Sequence, residues 1–187
     1  MEKCRVFVDF WNFQIGWNDW CVKQIGNRKQ IPWPTLPTEL IRHGYPKQDV
    51  RFCGIHVYAS VNPHSPKDLS LKKWLTNELR SYTGYSVSVF DRARKQRPCP
   101  HCGEDIESTI EKGVDSALIT DILTMGFDDL YDVAILISGD ADHAPAIEYI
   151  QKHKNKQVTR VYFKRHGHTL RNTCWSHSYL DDLIPAL

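Results

Sequence analysis

Residues 132–142 read Asp132-Val133-Ala134-Ile135-Leu136-Ile137-Ser138-Gly139-Asp140-Ala141-Asp142. The run 132–137 is almost wholly apolar and of strand length, as expected of a central parallel strand covered on both faces. It stops in a small polar turn that carries two acids. An earlier stretch has the same form: Cys4-Arg5-Val6-Phe7-Val8 is short, β-rich and ends at Asp9, with Asn12 close behind. Around these two, strand and helix patterns alternate. Residues 49–59, 85–90 and 157–163 read as strands. Residues 68–82 place Leu71, Trp74, Leu75 and Leu79 on one helical face, with Gly84 as the stop. Residues 113–125 read as a helix ending at Gly126, and 144–153 as another, with Pro145 tolerated in its first turn. This alternation predicts an α/β sandwich with a mainly parallel sheet.

Composition bounds the rest. The chain has 187 residues, 41% hydrophobic and 25% charged, and 24 Lys+Arg against 22 Asp+Glu leave a net charge of +2. That is too apolar and too balanced for a disordered chain, and the length suits a single domain spanning 1–187. No apolar run approaches the ~20 residues of a membrane-spanning helix. The N-terminus shows no secretory pattern. The six Cys are scattered apart from one close pair, which points to reduced thiols and a cytoplasmic protein. Residues 26–48, with Pro32, Pro34, Pro37 and Pro46, read as a long loop or a region with a short helix. The net charge alone argues neither for nucleic acid nor against it.

In a parallel sheet the C-terminal strand ends share one edge, and open α/β folds bind ligands there. Asp9 and Asp140 should therefore face a common crevice. Carboxylates that converge repel one another, and a divalent cation is the usual resolution. All-oxygen ligation suits Mg²⁺ or Mn²⁺. Asp115 opens the helix over 113–125 one turn before Ile119, so it points toward the sheet. Taken singly, Asp115 suits a helix N-terminus and Asp9 and Asp142 suit turns. Taken together at one sheet edge, they favour a site.

Three segments in this order, VFVDFWNF (6–13), EKGVDSALITDIL (111–123) and LISGDADHAPAIEYI (136–150), resemble the signature blocks of the NYN domain, a branch of the PIN-like nucleases. The resemblance covers about residues 4 to 165. It implies a Rossmann-like α/β/α sandwich with an acidic metal-binding pocket and ribonuclease activity. By position it implies metal-binding and catalytic roles for Asp9, Asp115 and Asp140, with Asp142 as a fourth acid. Asn12 matches the Asn after the first strand, and Ser138 the small polar residue of the third block. The family's acid near the C-terminus has no clear counterpart: residues 170–175 carry none, and Asp181 and Asp182 come later.

The chemistry that follows is metal-assisted phosphodiester hydrolysis of RNA, single-stranded by preference. Asp142 would serve a second metal or the attacking water, and Asn12 a phosphate oxygen or metal-bound water. Substrate contacts fall to Arg92, Arg94, Lys95 and Arg97, which follow the third expected strand, and to Lys112. A second basic stretch comprises Lys152, Lys154, Lys156, Arg160, Lys164 and Arg165, with His166 and His168 beside it. Trp11, Phe13, Trp17 and Trp20 are available to stack on bases or to fill the core. Two other functions compete. One is a module on the same fold that binds RNA or a protein without cutting, against which the intact acids argue. The other is a phosphatase using Asp9 as nucleophile, against which the lack of an acid two residues on argues.

One motif stands apart. Cys99-Pro100-His101-Cys102-Gly103, in an insertion at about 95–108, has the spacing of half a structural Zn²⁺ site. The remaining ligands would come from His101, His64, Cys53, Cys174, His166 or His168, or from a second chain in a homodimer. The plain alternative is a Pro-Gly turn with two free thiols.

Overall fold

The computed structural model describes residues 1–45, 49–164 and 168–184, the side chain of His168 excepted. Its strands in chain order are β1 (Glu2–Asp9), β2 (Val50–Val61), β3 (Tyr85–Asp91), β4 (Ala93–Pro98), β5 (Asp105–Ile110), β6 (Val133–Ile137), β7 (Gln157–Tyr162) and β8 (Ser176–Tyr179). Its α-helices are α1 (Phe10–Ile25), α2 (Leu36–Glu39), α3 (Pro66–Lys73), α4 (Val114–Phe127), α5 (Ala144–Lys154), α6 (His168–Thr173) and α7 (Leu180–Leu183). Six strands form one parallel sheet in the order β3-β2-β1-β6-β7-β8, and β4 with β5 forms a separate antiparallel ribbon. The expected mixed α/β fold with a parallel sheet flanked by helices is what the chain adopts.

Side-chain alternation along the central strands explains the layers. Cys4, Val6 and Val8 of β1 join Val133, Ile135 and Ile137 of β6 on one face, under Phe13 and Trp17 of α1 and Leu75 and Leu79 after α3. Phe7, Ala134 and Leu136 point the other way, to Leu118 and Ile122 of α4, Ile147 and Ile150 of α5 and Leu170 of α6. Because both faces are covered, every residue of β6 is buried, which is why its sequence is an unbroken apolar run.

Four features differ from expectation or extend it. Residues 10–25, which carry no clear helical pattern in sequence, form α1, capped by the Asp9 carboxylate accepting from the Asn12 N–H. The helix expected at 68–82 is shorter: α3 passes into a π-helical turn, Trp74–Glu78, and a 3₁₀ turn, Leu79–Ser81. The proline-rich stretch holds α2 and a π-helical turn, Leu40–Gly44, while Pro46 lies outside the described residues. The CPHC motif caps the β4–β5 ribbon. Among the described residues no helix is long and apolar enough to cross a membrane.

Candidate active site

β1 and β6 are neighbours in the sheet, with Val8 beside Ile137. Their chains leave the same edge at the centre of the strand order, where open α/β sheets form their crevice. Asp9 shares the face of Phe7, and Asp140 that of Leu136 and Ser138, so both turn toward α4. Gly113, in a left-handed conformation (φ 89°), starts α4 over this edge and puts Asp115 in the first turn. After β6 the Asp140 N–H donates to Ser138 Oγ (3.1 Å) and Asp140 Oδ1 accepts from the Asp142 N–H (2.9 Å). The resulting 3₁₀ turn, Ala141–His143, swings His143 inward to complete burial. One donor atom each from Asp115, Asp140 and His143 lie within 4.8 Å of one another, with His143 Nε2 3.4 Å from Asp115 Oδ1.

Asp9 stands beside this cluster, 4% exposed. Burial pushes its carboxyl up from the ordinary 3.8 to about 6; the charges of Glu111 and Asp115 push the same way, against the Asn12 N–H and His143. Glu111 is thus a further acid at the site. The Ser60 hydroxyl donates to Glu111 Oε2. Ser60 is itself fixed by Arg92 Nε on its hydroxyl (3.0 Å) and by Trp11 Nε1 on its carbonyl (2.6 Å). The Arg92 guanidinium lies over the Trp11 ring, 5.2 Å from its centroid.

The other expected residues fall as follows. Asp142 is exposed and is not in the donor cluster. Asn12 Oδ1 accepts from the Gly139 N–H (3.0 Å) and the Tyr162 hydroxyl (2.5 Å), so it braces α1 against the turn after β6. Ser138 is fully buried, and its carbonyl accepts from Arg160 Nε (3.1 Å). Arg92 sits at the rim, Arg94, Lys95 and Arg97 are exposed along β4, and Lys112 is exposed just before α4. Phe13 and Trp17 belong to the core, while Trp11 and Trp20 are half-buried against it.

The second basic stretch is largely spent on the fold. Buried Lys156 pairs with Asp129 (2.8 Å), Arg160 is buried, and Lys164 pairs with Asp182 (2.5 Å) while its N–H donates to Asp181 (2.9 Å). Asp181 and Asp182 therefore hold Lys164 and are not in the acidic cluster. Arg165 and His166 lie outside the described residues, as does the His168 side chain.

His143 and Glu111 are the residues that sequence patterns missed. His143 lies three residues after Asp140 and Glu111 four before Asp115, spacings that carry weight only once the turn and the αL glycine between them are known. The donor set fits a divalent ion. Two carboxylates converge with an imidazole, and a third acid is held nearby in a buried and charge-crowded position. The set is mixed oxygen and nitrogen, where all oxygen was expected.

The sequence model of the NYN domain family matches residues 3–181. Among solved structures, a protein of unknown function from Vibrio parahaemolyticus RIMD 2210633 superposes with a TM-score of 0.61 at 21% identity, over 97% of this chain and 94% of that one. That likeness concerns the fold. No curated protein matches the chain.

Proposed function

The chain belongs to the NYN domain family, within the PIN-like superfamily, and on that premise we propose that it is a metal-dependent ribonuclease. The carrying observation is the convergence of Asp115, Asp140 and His143 beside buried Asp9 at the C-terminal edge of β1 and β6. Asp115, Asp140 and His143 would hold Mn²⁺ or Mg²⁺ with Asp9 beside them; the imidazole adds a donor more at home with the transition metal. Such an ion lowers the pKa of bound water and offsets charge on the scissile phosphate.

The chain's own groups do the rest. Asp9, with its pKa raised to about 6, is protonated in weak acid and would have to be ionised to face a metal ion. Asn12 keeps the Gly139 turn, and hence Asp140, in place. Asp142, exposed and two residues after Asp140, would accept a proton from attacking water. Arg92, Arg94, Lys95, Arg97 and Lys112 supply phosphate contacts at the rim and along the ribbon. Trp11, held by Ser60, gives Arg92 a flat support.

The test is incubation with labelled single-stranded RNA in Mn²⁺, Mg²⁺ or EDTA. Cleavage in metal that EDTA abolishes is expected. RNA retention without cleavage in either metal would instead assign the chain to a binding module.

A further inference from the structure

The β4–β5 ribbon stands outside the main sheet and is held by its own pairing, from Ala93–Ile110 to Pro98–Asp105. Residues 94–98 and 100–107 are exposed, so the ribbon has no core of its own, and packing does not explain the sequence at its tip. That tip is a tight turn. The Cys99 N–H donates to the Glu104 carbonyl (2.7 Å), and the Gly103 N–H to the Cys99 carbonyl (2.9 Å). Gly103 takes a left-handed φ of 77°, which a side chain would strain. Within this turn the backbone N–H groups of His101 and Cys102 and the Cys102 thiol all address the Cys99 sulfur, and they hold its thiol below the ordinary range. The two sulfurs thus share one side of an exposed knuckle.

Two thiolates are half of a tetrahedral zinc site. Among the described residues no third His, Cys, Asp or Glu donor completes a cluster with them; the one such cluster is at Asp115, Asp140 and His143. Cys4 and Cys21 are buried. His64 lines a pocket along the ribbon with Arg94, Glu107, Ser108 and Thr109 and joins no donor cluster with Cys99 and Cys102. Cys53 lies eight residues before Val61, the residue whose carbonyl receives the Arg92 N–H at the ribbon's root, so it is roughly 26 Å down β2 on the opposite edge. Cys174 precedes β8, beyond β7 at the far side of the sheet. Among the described residues nothing supplies the missing pair, and an identical knuckle offers an identical pair.

We infer that the ribbon tip is a zinc clasp: Cys99 and Cys102 of one chain and the same two residues of a second copy bind one Zn²⁺, joining two chains tip to tip. The contact is self-complementary, as a two-fold interface requires. The inference does not depend on the nuclease activity and would survive its failure.

The experiment measures zinc content and molar mass together on the reduced full-length chain. Metal-stripped protein should be monomeric. Added ZnCl₂ should give a dimer with one clasp zinc per two chains, and a zinc chelator should return the monomer. Co²⁺ in place of zinc should show the intense thiolate charge-transfer band of a tetrahedral four-sulfur site. Cys99→Ser and Cys102→Ser should each abolish dimer and band, while zinc lodged at the acidic cluster would persist in these variants and lack the band. A monomer at every zinc content, one thiolate-bound zinc per monomeric chain, or a dimer indifferent to chelator would overturn the clasp. The wild-type comparison with and without chelator does not depend on how well the variants fold.

Discussion

Replacing Asp9 by Asn should stabilise the metal-free protein at neutral pH. Asp9 is ionised there although its folded-state pKa stands at about 6 against an ordinary 3.8. A pKa displaced by one pH unit corresponds to about 1.36 kcal/mol, so ionised Asp9 costs the fold up to about 3 kcal/mol. Asn removes the charge, keeps an oxygen for the Asn12 N–H that caps α1, and is as good an N-cap as Asp. Its amide still loses water on burial, returning about 1 kcal/mol. The expected gain is about 1–2 kcal/mol, or about 3–6 °C in Tm for a chain of this size. The sign follows from linkage. A carboxyl with a raised folded-state pKa favours folding below its unfolded pKa, and that contribution is lost as pH rises through about 6. The advantage of Asn should therefore be full above pH 7 and vanish near pH 4. Urea unfolding in EDTA at pH 7.5 and pH 4.0 measures it. A destabilised variant at pH 7.5, or an equal gain at both pH values, would refute the electrostatic reasoning.

Three further outcomes follow from the same geometry. His143→Ala should weaken Mn²⁺ binding about 10–100-fold by calorimetry; unchanged affinity would remove His143 from the site. Gly139→Ala places a Cβ 2.5 Å from the Tyr162 ring and should loosen the Asn12 brace, at a cost of about 1–3 kcal/mol in chemical denaturation. Arg94→Ala and Lys95→Ala should each flatten the salt dependence of RNA binding, by about 0.7 in slope for each phosphate that is no longer neutralised; slopes parallel to wild type would take these residues out of the interface.

The central sheet was legible because burial on both faces leaves apolar runs that end in turn residues, as at Val8–Asp9 and Ile137–Asp140. Placing Asp115 near them needed only the helical pattern of Leu118, Ile119 and Ile122. Helix α1 was not legible. Its residues include Gly16, Asn12 and Asn18, all poor helix formers, and its aromatic side chains blur the apolar face. Tertiary packing of Phe13 and Trp17 holds it, and the Asp9 cap starts it. The ribbon strands have no buried face and hence no alternation to read, and β8 is short and polar, as an edge strand can be. His143 reads as a core histidine until the 3₁₀ turn is known. The basic residues at 156–164 read as surface charge, because no pattern in sequence shows that Lys156 is buried against Asp129.

The most direct measurement is single-turnover cleavage of labelled RNA in Mn²⁺ by wild type and by Asp140→Asn, each checked for folding by circular dichroism. Asn retains the Oδ1 that accepts from the Asp142 N–H, so the turn should survive while one carboxylate charge is removed. The expected result is a folded variant with cleavage reduced by several orders of magnitude. Cleavage by Asp140→Asn at the wild-type rate would contradict a catalytic centre at this sheet edge.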